Sequence, residues 1–361
     1  MASSTTLNRV PFRTRVAGSG SYLPSRILTN ADIEKLVDTS DQWIRERTGI
    51  ERRHLALDGQ KNSDNYKDQN SDQDRNLILE HPENTSDLAY QATMKALENA
   101  GLDANQIELI IFCTVTGDQV MPSSACTLQN KLGLKSVPAF DLSAACSGFV
   151  YGLSVADQFI RTGQYKRILV VGAEITHRFV DYQDREVCIL FGDGAGAFIL
   201  EQAPQDSDSI IYSTHLRADG GLGDLFTLSA GGSKIPFSQE VLDSRAQYMK
   251  MKGREIFKNA VRTMSNTCQE ALEFNQMSSE QIDWLIPHQA NWRIMEAVAD
   301  HFKFPKEKVI SVVHETGNTS AASIPLAFDA ALKDGRIQRG QTILFTAFGA
   351  GLTAGSVLFK Y

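Results

Sequence analysis

The sequence predicts an α/β protein built from two similar halves, and three observations lead there. Residues 106–113 (Gln106-Ile107-Glu108-Leu109-Ile110-Ile111-Phe112-Cys113) and 281–288 (Gln281-Ile282-Asp283-Trp284-Leu285-Ile286-Pro287-His288) share one apolar, strand-like rhythm. Each follows a stretch with apolar residues at helical spacing, 88–100 and 256–272. Later, each half repeats a helix, a glycine stop and a strand: Arg161-Thr162-Gly163 leads into Ile168-Leu169-Val170-Val171, and Lys333-Asp334-Gly335 into Ile343-Leu344-Phe345. Glycine after a basic last turn ends a helix because it takes the left-handed conformation without a Cβ clash. Cys146 and Asn318 each lie 17 residues ahead of that glycine (146 to 163, 318 to 335). This spacing pairs them across a pseudo-twofold axis and brings them, with His288, to one central site. The halves divide into 10–205, carrying the cysteine, and 206–361, carrying the histidine and asparagine.

A chain of 361 residues suffices for two core-forming units. With 42% hydrophobic and 22% charged residues it has the balance of an ordinary globular protein. It lacks an apolar run long enough for a transmembrane helix, and its first nine residues lack the apolar stretch of a signal peptide. Membrane insertion is therefore not expected. Five cysteines, an odd number with no C-x-x-C pair, fit a reducing cytoplasm, and no His/Cys cluster has metal-ligand spacing. A net charge of -7 argues against nucleic acid as the main partner. Residues 58–76 offer almost nothing to bury and read as a polar surface insertion that extends to about 82.

Cys146 stands where an extended segment, Phe140-Asp141-Leu142, gives way to a helical pattern of Phe149, Leu153, Ala156, Phe159 and Ile160. Ala144, Ala145, Ser147 and Gly148 are small and leave open space around the sulfur. Backbone N–H groups at a helix start favour the thiolate, which is the nucleophilic form. The same segment also fits a buried cysteine packed like alanine. His288 follows Pro287, which cannot donate to a sheet ladder, so the imidazole leaves the strand at its end. Asn318, in Gly317-Asn318-Thr319-Ser320, is either a helix cap or a donor to substrate. Ala347-Phe348-Gly349-Ala350-Gly351 reads as a tight turn whose backbone N–H groups can approach a ligand. Gly192-Asp193-Gly194-Ala195-Gly196 resembles a phosphate loop, but strand-like residues flank it on both sides, so close packing is expected.

These segments, together with Thr29-Asn30-Ala31-Asp32, Asp38-Thr39-Ser40-Asp41-Gln42-Trp43-Ile44, Arg47-Thr48-Gly49-Ile50 and Gly317-Asn318-Thr319-Ser320-Ala321-Ala322-Ser323, cover nearly the whole chain. They resemble the β-ketoacyl-acyl carrier protein synthase III family of the thiolase superfamily. The resemblance implies a thiolase-like fold of two duplicated halves, with mixed five-stranded sheets in αβαβα layers. It implies a homodimeric enzyme that condenses acyl-CoA with malonyl-acyl carrier protein and needs no cofactor. By the same resemblance Cys146 is the acyl-accepting nucleophile. The N–H groups of Cys146 and Ala350 hold an oxyanion, and His288 and Asn318 serve decarboxylation. Trp43, Arg47, Arg185 and Asn291 bind coenzyme A, and Arg254, Lys258 and Arg293 receive the carrier protein. Met121 stands where the family often sends an aromatic from the partner subunit into the acyl pocket. Ala350 departs from a frequent glycine. The alternatives are a condensing enzyme of secondary metabolism using another starter, a papain-like hydrolase in which asparagine orients histidine, and a non-catalytic acyl-binding module.

Overall fold

The computed structural model describes residues 12–57 and 82–361; the N-terminal tail and nearly all of the polar insertion lie outside the described residues. Strand β1 (Thr14–Tyr22) is followed by the antiparallel pair β2 (Arg26–Thr29) and β3 (Arg52–Leu55), which flanks helix α1 (Asp41–Thr48). The two roots of the insertion stay side by side. Glu83 N–H donates to the Leu57 carbonyl, and Leu57 N–H donates to the Glu83 carboxylate, each at 2.9 Å. The first half continues through α2 (Thr85–Ala100), β4 (Leu109–Cys113), α3 (Ser124–Lys131), β5 (Ala139–Leu142), α4 (Gly148–Arg161), β6 (Arg167–Glu174) and β7 (Gly194–Gln202). Its five strands pair in the order β1-β7-β6-β4-β5; β4, β5 and β6 are parallel, while β7 runs against both its neighbours.

The second half repeats the plan with β8 (Ile211–Ala218), the small ribbon of β9 (Phe226–Leu228) and β10 (Met249–Met251), and α5 (Gly253–Phe274). It continues with β11 (Trp284–Pro287), α6 (Trp292–His301), α7 (Ser323–Lys333), β12 (Thr342–Gly349) and β13 (Thr353–Lys360). The order β11-β12-β13-β8 matches β4-β6-β7-β1, with parallel pairing only between β11 and β12. Here the structure corrects the expectation of two five-stranded sheets: the place of β5 is held by a single parallel bridge between Leu285 and Val309. Helical turns at Lys306–Lys308 and Val313–Thr316 bracket this bridge on either side.

Helices α4 and α7 lie between the sheets, where Phe149 and Phe328 meet Phe198 of β7, Phe345 of β12 and Phe359 of β13. Helix α2 covers the outer face of the first sheet through Leu88, Ala92 and Ala96. Helices α5 and α6 cover the second sheet through Cys268, Leu272, Met295 and Ala299. The result is the layered αβαβα arrangement. Both sheets are covered on both faces, which explains why β4, β6 and β12 read as unbroken apolar runs rather than alternating ones.

The duplicated register also changes. The turn Ala145–Ser147 before α4 matches the turn Ser320–Ala322 before α7, and each begins at a left-handed residue, Ala145 (φ 47) and Ser320 (φ 49). Cys146 is therefore the counterpart of Ala321, not of Asn318. The glycine spacing misled because α7 has 11 residues and α4 has 14, which moves the second stop three residues closer.

Phe328 is fully buried among four aromatic rings. Replacing it with alanine is expected to lower the unfolding free energy by about 3–5 kcal/mol in urea titrations, because the surrounding layers cannot collapse into the void.

Candidate active site

A cavity of about 660 Å³ reaches from the surface to the ends of the central turns, and Cys146, His288, Asn318 and Ala350 share its wall. Cys146 sits at the 3-10 turn that joins β5 to α4 and is 6% exposed. The small residues around it leave Cys146 on the cavity wall, and on its backbone side they admit the end of β12. A Cβ on Gly349 would lie 2.7 Å from Cys146 N and 3.0 Å from Ser147 N, so only glycine lets β12 end against this turn. Two hydrogen bonds tie the turn to β13. Ser147 Oγ donates to the Thr353 carbonyl (3.1 Å), and Thr353 Oγ1 donates to the Ala144 carbonyl (2.9 Å). The thiolate expectation is also corrected. Burial pushes the Cys146 thiol up to about 12, against smaller opposing effects of the Ser320 hydroxyl and the residue's own N–H. The thiol rests protonated and must lose its proton during reaction.

Strand β11 ends at Pro287, and His288 N–H donates to the Thr346 carbonyl (2.8 Å). Its Nδ1 lies 2.7 Å from Ser323 Oγ in the first turn of α7. The Gln289 N–H donates to the same oxygen (3.3 Å), which favours Ser323 giving its own proton to Nδ1 and leaves the imidazole proton on Nε2. Burial lowers the His288 pKa to about 3, so the ring is neutral across the physiological range. Gln289 clamps this strand end: its amide donates to the carbonyls of Pro287 (2.7 Å) and Ile310 (3.2 Å), and its oxygen accepts Val312 N–H (2.9 Å).

Asn318 is both a cap and a cavity residue. Its Oδ1 accepts Ser320 N–H (2.9 Å), its N–H donates to the Leu190 carbonyl (2.9 Å), and its carbonyl accepts Gly192 N–H (3.1 Å). The amide nitrogen is the group left for a ligand. The glycine run beside it serves close packing, as the sequence suggested: Cβ atoms on Gly192 and Gly196 would lie 2.3 Å from the Thr316 carbonyl and 2.6 Å from Pro325. The papain-like reading fails on geometry, because the partner of His288 is Ser323 and Asn318 turns its oxygen to Ser320. Ala350 is not left-handed, so alanine is accommodated where a glycine was the common choice.

At the cavity mouth the Arg47 and Arg185 guanidinium carbons lie 4.7 and 5.1 Å from the Trp43 ring centroid. Arg185 also donates to the Asp38 carbonyl (2.9 Å). Asn291 lines the cavity while its Oδ1 caps α6 through Ile294 N–H (3.0 Å). Arg254 and Arg293 lie in the wall, whereas Lys258, exposed one turn along α5, stands outside it. Met121 is 84% exposed and is not part of this wall. Sequence reasoning missed Glu174, Ser323 and the clamp made by Gln289. Their signals were present: an acid closing an apolar strand, and a serine in the motif that carries Asn318.

Two family descriptions match the chain: 3-oxoacyl-acyl-carrier-protein (ACP) synthase III over residues 140–220, and the C-terminal part of the same synthase over 272–361. A β-ketoacyl-acyl carrier protein synthase III from Xanthomonas campestris is 48% identical over 347 residues, covering 96% of this chain and 98% of the relative. The crystal structure of a 3-oxoacyl-acyl-carrier-protein synthase III from Aquifex aeolicus is 42% identical. It aligns with a TM-score of 0.82 over 96% of this chain and all of the other. The priming β-ketosynthase of a polyketide biosynthetic pathway is 31% identical, with a TM-score of 0.82 over 98% of each chain.

The depressed His288 has a stability consequence. Below pH 6.5 the unfolded chain takes up a proton on this histidine that the folded chain refuses until about pH 3. Unfolding free energy should therefore fall as pH drops from 6.5 toward 4. Denaturant titrations of a His288→Asn variant should lack that part of the slope.

Proposed function

The chain belongs to the 3-oxoacyl-acyl-carrier-protein synthase III family, and from that premise we infer how its cavity condenses an acyl-CoA primer with malonyl-acyl carrier protein. It is a condensing acyltransferase of fatty acid synthesis with a thiolase-like fold. One observation carries the assignment of roles: a single cavity joins a buried thiol, a neutral imidazole and a side-chain amide, the latter two with their remaining polar atoms already bonded.

Cys146 Sγ attacks the thioester carbonyl of acyl-CoA, and the N–H groups of Cys146 and Ala350 receive the oxyanion. Coenzyme A leaves as a thiol and the acyl group stays on Cys146. Malonyl-acyl carrier protein then enters the emptied cavity. Nε2–H of His288 and Nδ2–H of Asn318 donate to its thioester carbonyl, so that loss of carbon dioxide leaves an enolate stabilised by two neutral donors. One such donor contributes about 3 kcal/mol to a transition state. The enolate carbon attacks the acyl-Cys146 carbonyl, expels the sulfur and gives the 3-ketoacyl product. A neutral histidine suits this step, because an imidazolium in so dry a site would need a counter-charge before substrate arrived.

Trp43 with its two flanking guanidiniums fits a stacked adenine and its phosphates, and Asn291 fits the pantetheine arm. Arg254, Lys258 and Arg293 form a local basic rim on a chain of net charge -7, suited to steering an acidic carrier protein. Val120 (93% exposed) and Met121 (84%) lie in the segment between β4 and α3 and fit burial by a second copy, which would place Met121 in the partner's acyl pocket. Five free thiols fit a reducing compartment, and no helix among the described residues is long and apolar enough to cross a membrane. We assign 10–205 and 206–361 as the two halves.

Ping-pong kinetics and mass-resolved acylation of Cys146 are expected. His288→Ala should keep acylation by acyl-CoA and lose condensation by roughly a hundredfold or more; loss of acylation instead would overturn the division of labour. We assign the enzyme the step that starts fatty acid chains; a panel of primers from two-carbon to long-chain acyl-CoA tests this, and the role is lost if only medium or long chains load. Lys258→Glu should raise KM for the carrier protein at low salt and leave acyl-CoA loading unchanged.

A further inference from the structure

We propose that Arg53 is the positioning residue of the Asn318 amide: its buried side chain fixes residues 189–192, the strap to which the backbone of Asn318 is clipped. The inference rests on Asn318 being a donor to the malonyl thioester. Arg53 lies on β3 and has no exposed surface. Its stem packs against two glycines of the site. A Cβ on Gly192 would lie 3.2 Å from Arg53 Cβ, and one on Gly317 would lie 3.0 Å from its Cγ. The guanidinium donates through Nη2 to the Ile189 carbonyl and through Nη1 to Asn30 Oδ1 (2.5 Å). Asn318 joins the same strap twice: its N–H donates to the Leu190 carbonyl (2.9 Å), and its carbonyl accepts Gly192 N–H (3.1 Å). One side chain therefore holds both ends of the segment that sets the place of Asn318 in the cavity wall.

Packing alone does not call for an arginine here. Its two hydrogen bonds go to a carbonyl and an amide oxygen rather than to a carboxylate, and its buried Nε has no partner among the described residues. Burial lowers its pKa only to about 10, so the group stays charged at neutral pH. A buried charge without a counter-ion is costly, and an apolar side chain would fill the same space without that cost. What an apolar side chain lacks is the pair of donors. Asn30 carries the tie onward, because its Nδ2 donates to Asp41 Oδ1 and to the Ile50 carbonyl, each at 2.8 Å. The strap is thereby fixed to the first turn of α1, the helix that bears Trp43 and Arg47.

The rest of the site is held by other groups. The Cys146 turn closes against Gly349 and Thr353, and His288 is held by Ser323 and the Gln289 clamp. Loss of the brace thus bears on one donor of the decarboxylation step and not on the acyl-accepting thiol. Gly317 takes a φ of 61 and would place a Cβ 2.7 Å from the Leu190 carbonyl, so the chain enters Asn318 pressed against the strap and moves with it.

The test is the rapid-mixing burst of coenzyme A release at saturating acyl-CoA, beside single-turnover condensation by enzyme already acylated. Arg53→Met, which keeps an unbranched stem and removes both donors, should leave the burst nearly unchanged and slow condensation by about tenfold or more. Arg53→Lys, which can keep one donor, should fall between Arg53→Met and the wild type. In an Asn318→Ala background, itself slowed roughly a hundredfold, Arg53→Met should add almost nothing, because the group it positions is gone. Condensation at the wild-type rate in Arg53→Met overturns the brace. An equal loss of both half-reactions, or a fully additive loss in the double variant, overturns it too and marks a packing role. If Arg53→Met fails to fold, Arg53→Lys and Asn30→Ala, which removes the acceptor of Nη1, are read against the same outcomes. An Asn318→Ala enzyme that condenses at the wild-type rate sinks the parent reading itself, whatever Arg53 does.

Discussion

The molecule depends on two helix starts meeting back to back between two sheets. The turns Ala145–Ser147 and Ser320–Ala322 each begin at a non-glycine residue in the left-handed region, a conformation that costs free energy and persists only under tight packing. The surroundings supply that packing. Helices α4 and α7 bury their apolar faces between the sheets, and the end of β12 closes against the Cys146 turn through Gly349. Because the turns are held from both sides, the thiol, the serine hydroxyl and the cavity keep fixed relative positions before any substrate arrives. Such preorganisation removes the ordering cost from the reaction step.

The same burial sets the chemistry. Removed from water, the neutral form of every titratable group is favoured: the Cys146 thiol rises, the His288 imidazole falls, and the Glu174 carboxyl rises. Ordinary basicities are inverted, with histidine the poorest base of the site and a carboxylate a better one. A papain-like pair needs an imidazole that gains a proton readily, and this site denies it. A decarboxylating site needs an imidazole that stays a neutral donor, which Ser323 and the clamp of Gln289 maintain.

Charge is divided differently at the surface. Arg47 and Arg185 both approach the Trp43 face at the mouth, while Arg254 and Arg293 stand on the opposing helices α5 and α6. An acidic chain thereby presents a basic entrance to an interior in which His288 and Cys146 are uncharged. That division fits the proposed steering of anionic substrates to the rim and the proposed handling of their reacting ends by uncharged donors within.

The sequence by itself determined the two-half α/β plan, the strands 109–113 and 284–287, the helix stops at Gly163 and Gly335, and the identities of Cys146, His288 and Asn318 as residues of one cavity. These features are local: apolar period, proline at a strand end and glycine after a basic turn act through near neighbours, so they are written in short windows. Tertiary structure alone decided the rest. It paired Cys146 with Ala321 because helix length, invisible to a motif, shifts the second stop. It replaced the fifth strand of the second sheet by one bridge at Val309, and it closed the end of β12 against the backbone of the Cys146 turn through Gly349. It gave His288 to Ser323 and joined Glu174 to Ser320 across 146 positions of chain. Hydrogen bonds of that separation, and the pKa shifts that burial imposes, depend on which surfaces meet, and no window of sequence contains that information.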